Sequence, residues 1–383
     1  MNTRILKASL AFLMAVVLVG LLPTGALAQV STLDASKTNQ AWTASDFASA
    51  KPMPMPTPSA PALGPDNGDV FQGIMGEPGF ARGGVGNGRK MPVKIPLSTY
   101  VEDNLDVAPQ EHGTAGQPYT TSRVDVASGI PSAYYPFRAA GKLYFKIGNS
   151  NYVCSASLIK RGVIVTAAHC VIAFGQGSKG WYSSWVFVPA WNNSGVGPYG
   201  SWTGASARVM TSYYNGTDSC AAGASGVVCR NDVALIRLNS QSGVYPGTST
   251  GWFGYGWNGW GFTGGNALIN QLGYPVSHDG GNRMQRNDSQ GYNSSTYVNN
   301  TVWGTRMTGG SSGGPELVNL GTAASLTTSY GSYSSYNIVV GVTSWGWTSS
   351  SPKQQGASAF LSTNIGTLVT ATCTGYTTTA CAP

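Results

Sequence analysis

Three short stretches of this 383-residue chain carry side chains able to act together on a carbonyl carbon. The first is Gly309-Gly310-Ser311-Ser312-Gly313-Gly314-Pro315, in which two serines sit among glycines just ahead of a proline. Glycines let the backbone take positive φ and pass close to a ligand, so a serine in such a turn is held where a substrate can reach it. Gly/Ser clusters are more often linkers, and the stretch gains weight only from the other two. Thr166-Ala167-Ala168-His169-Cys170 closes one apolar run, and Asn231-Asp232-Val233-Ala234-Leu235-Ile236 opens another. A serine hydroxyl is a poor nucleophile at neutral pH; it needs a base at its oxygen and an acid to orient that base. A His, an Asp and a Ser, in that order, meet that need.

Each member has a competing structural reading. The chain has three histidines. His112 lies in an N-terminal leader, and His278 lies in the polar loop Ser277-His278-Asp279-Gly280-Gly281, where a solvated turn residue is the better reading. His169 follows an apolar strand and precedes a cysteine, so it is held in place and reads as a general base. Asp232 is the sole acid between Asp218 and Asp279 and stands at the start of a core strand. A buried carboxylate without a partner is costly, and an imidazole N–H supplies the partner. A turn cap is the alternative for Asp232.

The three stretches resemble the motifs TAAHC, D-[IV]-A-L and G-D-S-G-G-P of the trypsin/chymotrypsin family of serine endopeptidases. A fourth piece, Ser344-Trp345-Gly346 after the apolar run 338–342, is similar to the strand that lines the family's primary specificity pocket. The resemblance covers roughly residues 124–369. It implies that Ser312, directly before Gly-Gly-Pro, is the nucleophile, His169 its base and Asp232 the orienting acid. It implies that the backbone N–H groups of Gly310 and Ser312 form an oxyanion hole, each donor worth roughly 3 kcal/mol. It also implies an all-β fold of two six-stranded antiparallel β-barrels, chymotrypsin-like, with the triad in the crevice between them. A short helix over residues 363–371 would end the fold.

Two departures stand out. Where the family has an Asp directly before the nucleophile, this chain has Ser311, which cannot pair with a new N-terminal ammonium. Activation then works through hydrogen bonds from that N-terminus or through simple removal of the leader. The family's usual disulfides around the nucleophile and pocket are also missing, which resembles the divergent bacterial branch of secreted glutamyl endopeptidases. At the pocket, Arg306 falls where the family sets its specificity, Met307 narrows the space, and Ser344, Trp345 and Gly346 form one wall. A guanidinium in a partly desolvated pocket favours an acidic P1 residue; an Arg306 turned outward leaves a small apolar pocket. Both readings stand, with a basic P1 third.

The remaining chain must position these groups. Residues 1–28 have a basic start, a short uncharged apolar run and an Ala-Leu-Ala ending, the pattern of a secretory signal peptide; the run is short for a membrane span. Residues 29–123 include a Pro-rich tract at 51–65 and a Gly-rich one at 79–88 without apolar periodicity, which reads as a largely irregular propeptide or a flexible stalk. Residues 1–123 together hold 9 Lys/Arg and 9 Asp/Glu, so the formal charge of +7 comes from residues 124–383, with 13 against 6. Arg123-Val124 is the expected maturation junction, with Ile130 as the next choice.

From residue 124 on, short β-branched and aromatic runs recur at 142–147, 152–159, 163–167, 185–188, 207–212, 233–238, 267–273, 298–307, 338–344 and 357–361. Gly, Asn, Ser or Pro bounds each, which argues antiparallel β. Residues 124–245 are expected to build the first barrel and 246–383 the second with its tail. Six cysteines in an exported chain imply disulfides, and sequence alone permits fifteen pairings. Spacing favours Cys220–Cys229 and Cys373–Cys381, and the resemblance adds Cys154–Cys170 around His169.

The expectation is therefore a secreted, extracellular (or periplasmic) monomeric serine endopeptidase of proteins or peptides. It acts through an acyl-enzyme, without cofactor or metal, with its own propeptide as a partner. It has no nucleic-acid partner and keeps no membrane anchor after processing. The alternative is a catalytically silent relative or a surface- or carbohydrate-binding protein that stacks ligands on Trp252, Trp257 and Trp260.

Overall fold

The computed structural model describes residues 29–58, 76–91, 93–94, 111–112, 118–126, 128–192, 196–223, 226–262, 265–294, 297–323, 333–346 and 353–383. The expected signal peptide, residues 1–28, lies outside them. Among the described residues no helix is long and apolar enough to cross a membrane.

Alternating apolar strands joined by tight turns close into a first barrel. Its strands are β1 (Ala140–Ile147), β2 (Ser150–Lys160), β3 (Val163–Thr166), β4 (Ser183–Pro189), β5 (Trp202–Met210) and β6 (Ala234–Leu238). They pair antiparallel in the order β5-β4-β1-β2-β3-β6, and β6 returns to β5. Successive strand side chains point to opposite faces. Leu143, Phe145, Leu158, Ile164, Trp185, Phe187, Trp202 and Ile236 therefore share one buried cluster. Their neighbours Tyr144, Val163, Val165 and Leu235 join a second cluster that also contains Leu272, Leu317, Val342 and Phe360 of the other barrel.

The second barrel consists of β7 (Asn266–Gly273), β8 (Gln285–Asn293), β9 (Asn300–Gly304), β10 (Pro315–Val318), β11 (Ile338–Gly346) and β12 (Gln354–Ala359). Its order is β7-β10-β11-β12-β9-β8, closed by β8 on β7. Two closed six-stranded antiparallel barrels are thus present, as the family resemblance implied. The C-terminal helix forms at Thr367–Cys373. Its threonines make it a poor isolated helix; the buried Leu368 and the Cys373–Cys381 disulfide hold it.

Short strands from the described residues ahead of residue 124 dock on both barrels. Val30–Asp34 pairs antiparallel with β5, Lys51–Pro52 pairs parallel with β2, and Tyr119–Arg123 pairs antiparallel with β8. Gly79–Ala81 lies antiparallel on Gly254–Trp257. The glycines there have a packing reason: a Cβ on Gly79 would sit 2.6 Å from the Trp257 ring, and one on Gly84 would sit 2.4 Å from Trp252. The tryptophan faces on which the surface-binding alternative relied are covered by this segment, and Phe80 packs at 5.2 Å from Trp260. A one-turn leader helix, Ala44–Ser49, is capped by Thr43 and Asp46 and sets Trp42 and Phe47 on Tyr144. Arg123 lies within its strand with its guanidinium on Asp279, and Val124 is buried, so cutting the expected junction requires that strand to open.

Candidate active site

β3 runs into the 3-10 turn Ala168–Cys170, which presents His169. The Cys154–Cys170 disulfide ties that turn back to β2. A loop of this size restricts the unfolded chain by about 3 kcal/mol in the entropic model. Asp232 stands two residues before β6 and is fully buried. Its carboxylate accepts three hydrogen bonds: His169 N–H at 2.8 Å on Oδ1, and on Oδ2 His169 Nδ1 at 2.7 Å and Ser344 Oγ at 2.6 Å. Those donors stabilise a buried charge that would otherwise be costly. The carboxylate at Nδ1 holds the proton there, leaving Nε2 as the acceptor. His169 Nε2 and Ser312 Oγ are both buried and have no hydrogen-bond partner among the described residues.

Ser312 sits in the turn that feeds β10. Gly310 and Gly313 have φ of +95° and +77°. A Cβ on Gly313 would lie 2.0 Å from Thr166 Oγ1 and 2.4 Å from the Ser155 carbonyl, so no other residue fits. The loop is fastened from β2 and β11. Ser155 N donates to Ser312 O at 2.7 Å, Ser155 Oγ donates to Gly310 O at 2.8 Å, and Gly313 N donates to Thr343 O at 2.8 Å. The N–H groups of Gly310 and Ser312 make no hydrogen bond to a described residue, as donors reserved for an oxyanion would be. Ser155 was missed by sequence reasoning; its position directly after Cys154 was the one available signal.

Ser311 is buried, and its hydroxyl donates to Thr308 O at 2.7 Å while accepting from Gln355 Nε2 at 3.0 Å. The loop that the family orders with an Asp is ordered here by neutral groups. Gln355 Nε2 also donates to Met307 O at 2.9 Å, and Gln271 Nε2 donates to Thr343 Oγ1 at 2.9 Å. Neither glutamine was picked out from sequence, because polar residues in strands read as surface. Met307 and Trp345 are buried, the indole of Trp345 donating to Asn300 Oδ1 at 2.8 Å. Gly346 lies within 2.6 Å of Gln355 Cγ for an added Cβ, so a side chain there would fill the pocket. Ser344, expected as pocket wall, turns its hydroxyl to Asp232. Arg306, expected at the pocket base, is exposed, and its carbonyl accepts from Ser277 Oγ at 3.1 Å.

His278 pairs with Ser277 Oγ at 2.8 Å in its loop, and His112 lies in the leader strand Glu111–His112. All three disulfides have the expected pairing: Cys154–Cys170, Cys220–Cys229 and Cys373–Cys381. Two groupings of metal-type ligands occur among the described residues, Cys154/His169/Cys170 and Asp218/Cys220/Cys229. In both, the sulfurs are bonded to each other, so each offers a single remaining ligand.

A family model described as Trypsin matches residues 126–364. Among curated proteins, the chain is 30% identical over 142 residues to an extracellular metalloprotease of Bacillus subtilis (strain 168), an alignment covering 36% of this chain and 40% of that protein. The chain therefore spans about two fifths of that relative's length. Among solved structures, a thermostable serine protease from an extremophilic microorganism superposes with a TM-score of 0.50 at 20% identity, covering 62% of this chain and 98% of that one. A Glu endopeptidase solved in complex with MPD has a TM-score of 0.45 at 19% identity, covering 66% and 95% respectively.

Proposed function

From the premise that this chain belongs to the trypsin family and is a serine-type peptidase, we propose that it is an exported endopeptidase working through Ser312, His169 and Asp232. The observation that carries the reading is the buried Asp232 carboxylate with its three donors, one of them His169 Nδ1 at 2.7 Å. His169 Nε2 takes the proton of Ser312 Oγ as that oxygen attacks the scissile carbonyl carbon. The resulting oxyanion is received by the N–H groups of Gly310 and Ser312. The imidazolium, held against Asp232, then protonates the departing amine, and an ester to Ser312 Oγ remains. Water attacks this ester with His169 again as base, releasing the acid and restoring the hydroxyl.

The pocket reading favours an apolar P1 residue. Arg306 is exposed, while Met307 and Trp345 are buried apolar side chains and Gly346 beside them carries no side chain. Export fits three disulfides, which persist in oxidising compartments. Cleavage-site profiling of the leader-released enzyme on a peptide library, beside Ser312→Ala, tests this function. The wild type is expected to cut after apolar residues and the variant to be secreted in equal amount but inactive. An active Ser312→Ala protein, or dominant cutting after Lys or Arg, would contradict it.

A further inference from the structure

The Pro-rich leader tract does not hang free. Lys51 and Pro52 pair with Tyr152 and Val153 of β2, and Met53 N donates to Val153 O at 2.9 Å. The chain then crosses the oxyanion loop. A Cβ on Gly309 would lie 3.1 Å from Met53 O, and one on Gly310 would lie 3.7 Å from Pro52 Cβ. Beyond it, Pro56 O accepts from Gly346 N at 2.9 Å. Met55 is 1% exposed, and its Sδ accepts from Gln355 Nε2 at 3.3 Å. The same sulfur lies 2.7 Å from where a Cβ on Gly346 would stand. The methionine side chain thus fills the pocket between Gly346 and Gln355, and Ser312 beneath is fully buried.

We propose that residues 51–56 are a built-in plug of the catalytic cleft, threaded in the direction opposite to a substrate. The proposal rests on Ser312 being the nucleophile and concerns how that site is kept closed. His169 must protonate the departing amine, so the leaving half of a substrate lies on the His169 side, beside the Cys154–Cys170 disulfide and β2. The acyl half, whose side chain enters the pocket, lies along β11 at Gly346. A substrate therefore runs N to C from β11 towards β2. Residues 51–56 run N to C from Val153 towards Gly346, the reverse.

In a reversed chain the nitrogen of each amide lies on the pocket side of its carbonyl carbon. The leaving nitrogen then faces away from His169 Nε2, and the segment is held without being cut. Its sequence suits the role. Pro52, Pro54 and Pro56 fix φ and hold the chain extended, which lowers the entropy lost on ordering. Met53 packs on the first barrel's cluster and Met55 on the pocket, flexible unbranched side chains that adapt to an existing cavity. Being part of the same chain, the plug has a high effective concentration at the site.

The test uses the full chain and a fluorophosphonate reagent, with the labelled residue mapped by mass spectrometry and the melting temperature recorded. Met55→Gly and Met55→Asp are expected to raise the rate of Ser312 labelling by about tenfold or more, the order set by losing the burial of one methionine. Met55→Leu should stay near wild type, and residues 51–56 should remain uncut in all. Met53→Gly, at the other end of the plug, repeats the measurement should either polar or small substitution at Met55 prevent folding. Equal labelling rates in folded wild type and variants overturn the plug alone. Ser312-dependent cleavage between residues 52 and 56 of the intact molecule overturns the reversed direction. Failure of Ser312 to label in every folded variant removes the nucleophile assignment, and the plug with it.

Discussion

At the scale of single residues, the site depends on how one buried carboxylate is satisfied. Asp232 has three donors, and the shortest bond comes from Ser344. The Ser344 hydroxyl bonds the Asp232 carboxylate and not a reacting atom, so that hydroxyl acts by positioning. Removing it leaves Asp232 Oδ2 with His169 alone and lets the imidazole tilt. Ser344→Ala is expected to lower kcat roughly tenfold, the scale of one hydrogen bond to a charged group, with KM nearly unchanged and a shifted pH profile of kcat. Steady-state kinetics across pH checks this; an unaltered profile would make Ser344 merely structural. His169, Asp232 and Ser312 could be picked out as candidates because each lies beside a local signal, an apolar strand end or a glycine turn, and the structure pairs the first two. Ser344 was visible only as a member of a motif, and its partner was not, because 112 residues separate the two hydroxyl and carboxylate groups.

At the scale of elements, strands with apolar interiors were readable and those with polar interiors were not. β8 (Gln285–Asn293) and β10 (Pro315–Val318) escaped the hydrophobic pattern. In β8 the inward positions are Gln285, Asn287 and Ser289, and Asn287 Nδ2 donates to Gly304 O at 3.0 Å while Asn287 Oδ1 accepts from Thr121 Oγ1 at 2.6 Å. β10 contributes Glu316, fully buried, with Thr301 Oγ1 donating to Oε2 at 2.8 Å and no partner at Oε1 among the described residues. Burial, opposed only by the Thr301 bond, pushes its carboxyl up to about 8 from an ordinary 4.5. The folded state therefore holds a proton that the unfolded state releases. Its stabilising effect is fully present below pH 4.5 and is lost as pH rises towards 8. Glu316→Gln should remove that slope and raise stability at pH 8 by on the order of a few kcal/mol. Denaturant titrations of both proteins at pH 5 and pH 8 check it; parallel pH dependences would contradict a buried neutral Glu316. The docked leader strands were likewise unreadable, because Tyr119–Arg123 and Lys51–Pro52 are ordered by pairing with β8 and β2 rather than by any pattern of their own.

At the scale of the whole molecule, the two barrels and the crevice between them follow from strand closure, and the leader then completes the surface. It adds two strands to the first barrel and one to the second, covers the tryptophan tract and crosses the crevice above Ser312. A bonded His169–Asp232 pair, oxyanion N–H groups without an acceptor among the described residues and a pocket filled by Met55 support the proposal of a peptidase held in check by its own N-terminal part. Departures from the family, Ser311 above all, then cease to be defects, since the loop is already ordered by Thr308 and Gln355 without a new N-terminal ammonium. The central claim is that Ser312, His169 and Asp232 form one catalytic unit, and covalent labelling of the leader-released protein by a fluorophosphonate tests it most directly. The account predicts a single labelled peptide containing Ser312, with labelling abolished in His169→Ala and strongly slowed in Asp232→Asn. Label on another serine, or undiminished labelling of Ser312 without His169, would contradict it.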